Sequence, residues 1–537
     1  MNALDWAIVA AYMLGMIGMS AYVGWRQKNA KDYYLGSNNV SVWSISLSTM
    51  ATQCSTNSLL GAPAFVIAVG GLLWLQYELA VPLAMIGVML FLLPFFRKQN
   101  VISVYEYLEK RFGPGSRTVL SVLFQFLRAF STGVTVYGIS RVIEMLVGIP
   151  FWQAVLILGT VTVLYDMLGG IRAVIYSDVV QMAVLYTGIV VCLYYAVSIQ
   201  GGWSAVLDAF PAEKGRTLDF SGFGFTEGKT FAFWPMLIGG FFLYLSYYGC
   251  DQTQVQRELS TRSVDDTNMS LFMNGILRFP LVITYCLVGV ALAAYIARNP
   301  EFIQAISHGG APDYNLAVPV FCVKFLPHGV IGLIIVSLFA AAMSSLDSTI
   351  NSLSATTMRD IVERFMISKP LEGRTALICS RGLTVFWGGL CVVFSFFVGD
   401  VSKSIIESIN KIGSLANGPI LAAFLLAILT RRANDQGVVI GIVAGFVCNL
   451  LTWKLLPGVS WLWWNVSGCL VTFSVGYLVS LVIGRRPVAD DIDNLVFHWN
   501  IGRQFRYQRN WLRYQVILVV YFVAMVAVLA GIQRVLG

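Results

Sequence analysis

The sequence predicts an all-helical polytopic membrane protein. Three observations carry that reading. Of 537 residues, 57% are hydrophobic and 12% charged, with a mean hydropathy of +0.72. Soluble domains carry about 25% charged residues, so a water-exposed surface of ordinary composition cannot be built from this chain. Apolar stretches long enough to span a hydrocarbon core of about 30 Å recur along the whole length. They are apolar all round rather than alternating, which excludes a transmembrane barrel.

Fourteen spans are expected: 4–25, 42–69, 72–96, 117–147, 151–168, 175–199, 231–250, 268–297, 330–362, 376–400, 403–430, 436–455, 461–484 and 512–536. The first lacks a basic leader and is followed closely by a second, so it is expected to stay in the mature protein rather than act as a cleavable signal. With the N-terminus outside, the internal loops hold about 24 Lys and Arg and the external loops about 7. A multi-pass cell-membrane protein in that orientation is expected. The polar insertions, 200–230, 298–329 and 485–511, are too short for a catalytic domain, so function must lie within the bundle.

The formal charge of +8 comes from basic residues sitting mostly between apolar runs, which sets nucleic-acid binding aside. The nine cysteines show no CxxC spacing and read as small core residues, neither a secreted disulfide framework nor a zinc site. His308, His328 and His498 all fall in loops, and no HExxH is present, which argues against an intramembrane enzyme. No organic cofactor is expected; the implied partners are the bilayer, a coupling ion and a small solute.

Charged side chains inside spans need explaining, since each costs about 3 kcal/mol near the bilayer centre on insertion scales. They are Glu78, Arg128, Asp178, Arg278, Asp347, Glu407 and Lys411. Acids and bases occur in similar numbers, so structural ion pairs compete with functional roles.

Two spans depart from plain helix. Ser46, Ser48, Thr49, Thr52, Gln53, Ser55, Thr56, Asn57 and Ser58 crowd the first half of the second span. Backbone leaves the helix at membrane depth only where it lines a cavity or is buried in protein, so a break between Met50 and Ser58 is expected. The seventh span repeats the signal with Gly239, Gly240, Tyr244, Ser246, Tyr247, Tyr248, Gly249, Asp251 and Gln252. Interrupted helices five spans apart suggest an inverted repeat with a site between them. Two breaks converging on a midplane site also argue against a channel, which would need a repeated ring of selectivity residues.

In the ninth span, Ala341, Ser344, Ser345 and Ser348 fall on one helical face at i, i+3, i+4 and i+7. Such a face is a ladder of small oxygens. It could serve close helix packing, or, with carbonyls freed in the broken second span, a hard cation that wants several oxygens. Sodium is the natural candidate, although the spacing does not separate it from a proton.

At these residues the sequence resembles the sodium/solute symporter family, whose members include transporters of glucose, iodide, monocarboxylates, vitamins, proline and sialic acids. The resemblance runs from about residue 4 to about 484. Its most specific pieces are Lys31-Asp32-Tyr33-Tyr34-Leu35-Gly36, Ser103 to Phe112 (SVYEYLEKRF), Gly169 to Val174 with Ser177 to Gln181, Asp251 to Arg257 (DQTQVQR), and the serine ladder. It implies a single transporter domain with a leucine-transporter-like, five-plus-five inverted-repeat core: an extra helix at 4–25, a first repeat beginning at 42 and running toward 250, a second over 231–430, and accessory helices over 436–536. The activity implied is sodium-driven uptake of a small polar solute by alternating access.

The resemblance places a main sodium site on the carbonyls of Ala51, Cys54 and Ala341 and the hydroxyls of Ser344 and Ser345. A second site of some members maps to Asp178, Ser344, Asp347 and Ser348, where Asp347 replaces the usual hydroxyl residue and adds a negative charge. The substrate pocket would be lined by Ser55, Asn57, Ser58, Tyr77, Glu78, Arg128, Tyr247 or Tyr248 as an inner gate, and Lys411. Tyr77-Glu78 looks like the pair of the sugar transporters, whereas Arg128 falls where the sialic acid transporters place a carboxylate-binding arginine. An arginine fork can donate two parallel hydrogen bonds to a carboxylate. A carboxylate-bearing solute such as a sugar acid or sialic acid is therefore expected first, and a neutral sugar or polyol second.

Overall fold

The computed structural model describes residues 1–54, 57–308, 311–367, 371–398, 405–483, 492–498, 505 and 507–537. Among the described residues, eleven helices are long and apolar enough to cross a membrane. This count differs from the fourteen expected spans for physical reasons visible in the backbone. The spans expected at 151–168 and 175–199 form one stretch, Phe151–Ser198, interrupted where Gly170 adopts φ 55° and ψ −163°. A Cβ on Gly170 would sit 2.6 Å from the Tyr33 carbonyl oxygen, so the bend is available to glycine alone. The second and seventh spans are broken into pieces too short to count.

The elements used below are α1 (Ala3–Gly24), α2 (Val42–Gln53), α3 (Ala62–Ala68), α4 (Ala80–Phe91), α5 (Tyr105–Arg111), α6 (Pro114–Val147), α7 (Phe151–Ser198), α8 (Gly240–Cys250), α9 (Gln252–Glu258), α10 (Val264–Arg298), α11 (Ala317–Phe325), α12 (Val330–Thr357), α13 (Gly373–Phe397), α14 (Ile405–Leu429), α15 (Asp435–Leu455), α16 (Leu462–Ile483) and α17 (Trp511–Leu536). The most apolar stretch of α12 is 83% buried and that of α17 is 17% buried, which puts α12 at the centre and α17 at the periphery. α12 packs on α7, α6 and α2; α15 and α16 pack on each other and on α14.

Both interruptions have local causes. Ser41 caps α2 by accepting from the Ser44 N–H, and the ladder ends with Cys54 N–H bonding to Met50 O. Cys54 then takes non-helical angles (φ −81°, ψ 59°), a wider π turn covers Asn57–Gly61, and Pro63 opens α3. The seventh span begins with a π turn over Pro235–Gly239 and stops at Asp251, which is extended (φ −83°, ψ 122°) and accepts from Thr253 N–H to cap α9. All seven residues of α9 are buried, although five are polar uncharged or basic: Gln252, Thr253, Gln254, Gln256 and Arg257.

The motifs act as joints. Tyr33 donates to Asp166 O at 3.1 Å, and the Tyr34 hydroxyl lies 2.8 Å from that of Ser354, fixing the first motif against α7 and α12. Arg111 at the end of α5 is fully buried and donates to Ala427 O at 3.1 Å and Thr430 O at 2.5 Å, satisfying carbonyls at the end of α14. Gln252 of α9 reaches back to Ile102 O and Val104 N beside the start of α5.

Candidate functional site

The two breaks open onto one cavity of about 200 Å³. Its wall takes Thr52 and Gln53 from the end of α2, Ser58 from the π turn, Asp251 and Thr253 from the second break, and Ser345 and Thr349 from α12. α6 contributes Arg128, Ser131, Thr132 and Thr135, a polar stripe along one side of the cavity. Tyr77, Glu78, Tyr244, Tyr247 and Arg278 add further polar groups, and Asn410, Ile412, Gly413 and Asn417 enter from α14.

Of the residues expected to meet substrate, Ser58, Tyr77, Glu78, Arg128 and Tyr247 are on the wall. Tyr248 is not. It is fully buried and its hydroxyl bonds to Gln53 Oε1, so it supports a wall residue instead. Lys411 is half-buried and outside the wall although its neighbours Asn410 and Ile412 are part of it, because consecutive helical residues point about 100° apart. Ser55 and the side chains of Asn57 and Glu407 lie outside the described residues.

The cavity's charges come in pairs. Arg128 donates through Nε at 2.9 Å and through Nη2 to Asp251 Oδ2, and its guanidinium carbon lies 5.3 Å from the Tyr247 ring centroid. Asp251 thus ends α8, caps α9 and holds Arg128. Arg278 donates to both oxygens of Glu78, at 2.6 and 3.2 Å, and to the Tyr244 hydroxyl at 3.3 Å. The Tyr77 and Tyr244 rings meet at a tilt of 37° with centroids 4.9 Å apart. Sequence reasoning flagged Arg278 as costly and quoted Asp251 within a motif, but matched neither to its partner; nothing in linear spacing links positions 123 or 200 residues apart.

The serine ladder faces the end of α2. Ser344 Oγ lies 3.3 Å from Ala51 O and 3.1 Å from Ala341 O, and Ser345 Oγ lies 3.4 Å from Thr52 O. Helix ends leave their last carbonyls without intrahelical donors, and here those carbonyls meet hydroxyls. Cys54 is buried at the same break. Hard, uncharged oxygens of this kind could serve as ligands to a dehydrated cation.

One turn further along α12 the charged groups gather. Asp178 accepts from Ser48 Oγ at 2.6 Å, and its Oδ2 is 3.4 Å from Arg257 Nη2. Arg257 also bonds Ser348 Oγ and donates to Thr253 O at 3.2 Å. Asp347 accepts from Tyr165 OH at 2.5 Å, Ser177 Oγ at 3.4 Å, Ser348 N at 2.5 Å and Ser348 Oγ at 3.0 Å. The base beside Asp178 is thus Arg257 of the Asp251–Arg257 motif. Arg172, on the same helix as Asp178, is exposed and lies over Tyr176. Asp178 Oδ1 is buried with no hydrogen-bond partner among the described residues.

Residues 33–445 match the Sodium:solute symporter family. The sodium/sialic acid symporter NanT of Aliivibrio fischeri is 30% identical over 498 residues, covering 92% of this chain and 96% of that protein. The human sodium-coupled monocarboxylate transporter 1 is 30% identical over 431 residues, covering 80% and 69%. A solved structure of a Na+-coupled sialic acid symporter in a substrate-bound outward-open state aligns with a TM-score of 0.80 at 26% identity, covering 90% of this chain and 98% of the other. A bundle of apolar helices interrupted twice around one polar cavity, with this extent of similarity, places the chain in the sodium:solute symporter family: it is a multi-pass, sodium-coupled solute transporter and not an enzyme.

Proposed function

We propose that the protein imports a small carboxylate-bearing solute, such as a sugar acid or sialic acid, by alternating access driven by the inward sodium gradient. The observation that carries this reading is Arg128 on the cavity wall, with Ser131, Thr132 and Thr135 following it on the same wall. An arginine at membrane depth is costly, and a planar fork beside hydroxyls suits a carboxylate with neighbouring oxygens. The names of two relatives support it, since sialic acids and monocarboxylates both carry a carboxylate.

In this reading a substrate carboxylate shares or displaces Asp251 on Arg128. Sodium binds the carbonyls of Ala51, Cys54 and Ala341 with the hydroxyls of Ser344 and Ser345, bridging α2 and α12. A second cation site involves Asp178, Ser344, Asp347 and Ser348, with Arg257 supplying one positive charge there. The architecture is fourteen crossings with the N-terminus outside and a five-plus-five inverted repeat in which the two broken helices correspond. Ion binding favours the arrangement in which α2 and α12 stay together, and so biases which face the cavity opens to.

A neutral sugar or polyol is the second reading, favoured by the pairing of both cavity arginines with Asp251 and Glu78, which leaves the wall charge-balanced. Proteoliposomes separate the two. Saturable, sodium-driven uptake of an acid that fails with its neutral amide supports the first; sodium-driven uptake of uncharged sugars with indifference to acids supports the second. Flux of about a million ions per second would refute both in favour of a channel.

A further inference from the structure

Cys192 on α7 and Cys322 on α11 bring their sulfur atoms to 3.5 Å, and both side chains are 1% exposed. At that separation the Cys322 thiol donates to the Cys192 sulfur and no other heavy atom stands between them. Bond formation at about 2.05 Å asks for a further approach of about 1.5 Å, on the scale of a side-chain rotation. The two residues are 130 positions apart, so a cross-link would close a long loop containing α8, α9 and α10. α11 is a nine-residue helix that also packs on α3 and on the π turn after the first break. Tying it to α7 would join the break region to a long helix of the bundle.

We propose that Cys192 and Cys322 form a reversible disulfide, a modification site joining α7 to α11. The oxidant is a small or protein disulfide. One thiol of the pair loses its proton and attacks a sulfur of the oxidant, forming a mixed disulfide and releasing the first oxidant thiol. The second protein thiolate then attacks the sulfur of its neighbour, forming the Cys192–Cys322 bond and releasing the second oxidant thiol. The protein is oxidised by two electrons, the oxidant is reduced by two, and both protons end on the released thiols. Burial of both sulfurs confines the first attack to moments when α11 parts from α7, so oxidation of folded protein is slow.

The test uses the purified full-length chain in detergent, incubated with oxidised glutathione, quenched, unfolded and titrated with maleimide. The expected result is a fall of two reactive thiols from the nine in the sequence, an intact mass lower by two hydrogens, and a cross-linked peptide pair containing Cys192 and Cys322. Dithiothreitol should restore all nine, and Cys322→Ser should abolish the mass loss. Nine free thiols after oxidation, a cross-link mapped to a different pair, or stable glutathione adducts at Cys192 or Cys322 without a bond between them would overturn the proposal. Because the wild-type measurement decides it, a poorly folding variant would not obscure the outcome.

Discussion

Arg257 Nη2 stands 3.4 Å from Asp178 Oδ2, and neither side chain is exposed to solvent. The arginine comes from the half-helix α9 and the acid from α7, so the second interruption delivers a positive charge to the acid beside the serine ladder. Removing one member of a buried pair leaves the other uncompensated, which typically costs about 3 to 5 kcal/mol, whereas replacing both is often far milder. Asp178→Asn and Arg257→Met should each lower the melting temperature strongly in detergent, with the double variant losing less than the sum. Strict additivity would show that the two charges do not stabilise each other.

Ser345→Ala removes a hydroxyl 3.4 Å from Thr52 O while keeping a small residue on α12. If that oxygen helps to hold sodium, its loss should cost about 1 to 3 kcal/mol of ion affinity, raising half-saturating sodium by about five- to 150-fold. The melting temperature in choline buffer should change little. Uptake with an unchanged sodium dependence removes Ser345 from the ion site.

Arg128→Gln should lose about 2 to 5 kcal/mol of affinity for an acid substrate, about thirty-fold or more, and with it the preference for the acid over its amide. Arg128→Lys should recover part of this, because an ammonium cannot reproduce the two-pronged contact. The variant also leaves Asp251 without its guanidinium, so stability is measured alongside uptake. Normal transport of the true substrate by Arg128→Gln points instead to the sugar or polyol reading.

Glu78→Ala should destabilise the protein more than Tyr77→Phe. The first strands Arg278, which is 7% exposed and has a further nitrogen, Nη1, buried without a partner among the described residues. The second removes a hydroxyl that is itself buried with no hydrogen-bond partner among the described residues. By the same logic of breaking a buried pair, the difference should reach about 3 kcal/mol. Equal melting temperatures for the two variants would mean that Arg278 finds other compensation.

Gly170→Ala should impair folding outright. Its φ of 55° with ψ of −163° is open essentially to glycine, and the added methyl would meet Tyr33 O at 2.6 Å. Yield of monodisperse protein in mild detergent measures this, and a near-normal yield would show that the chain can straighten there.

Composition and local pattern were enough to foresee part of this architecture. Long apolar runs compel membrane helices because every backbone polar group must be satisfied within the segment. The polar run from Ser46 to Ser58 marked where a helix could afford to stop, and α2 does end at Gln53. Helical periodicity put Ala341, Ser344, Ser345 and Ser348 on one face, and that face meets α2. The pairing of charges, by contrast, came from how the helices pack. Arg128 with Asp251, Glu78 with Arg278 and Asp178 with Arg257 join residues on different helices far apart in sequence. Ion pairing at membrane depth depends on distances of a few ångströms in a medium that screens little, and such distances are set by how helices pack. The same reason separates Tyr247 from Tyr248 and Asn410 from Lys411: adjacent in sequence, they point in different directions, and the packing of α8 and α14 chose which one meets the cavity.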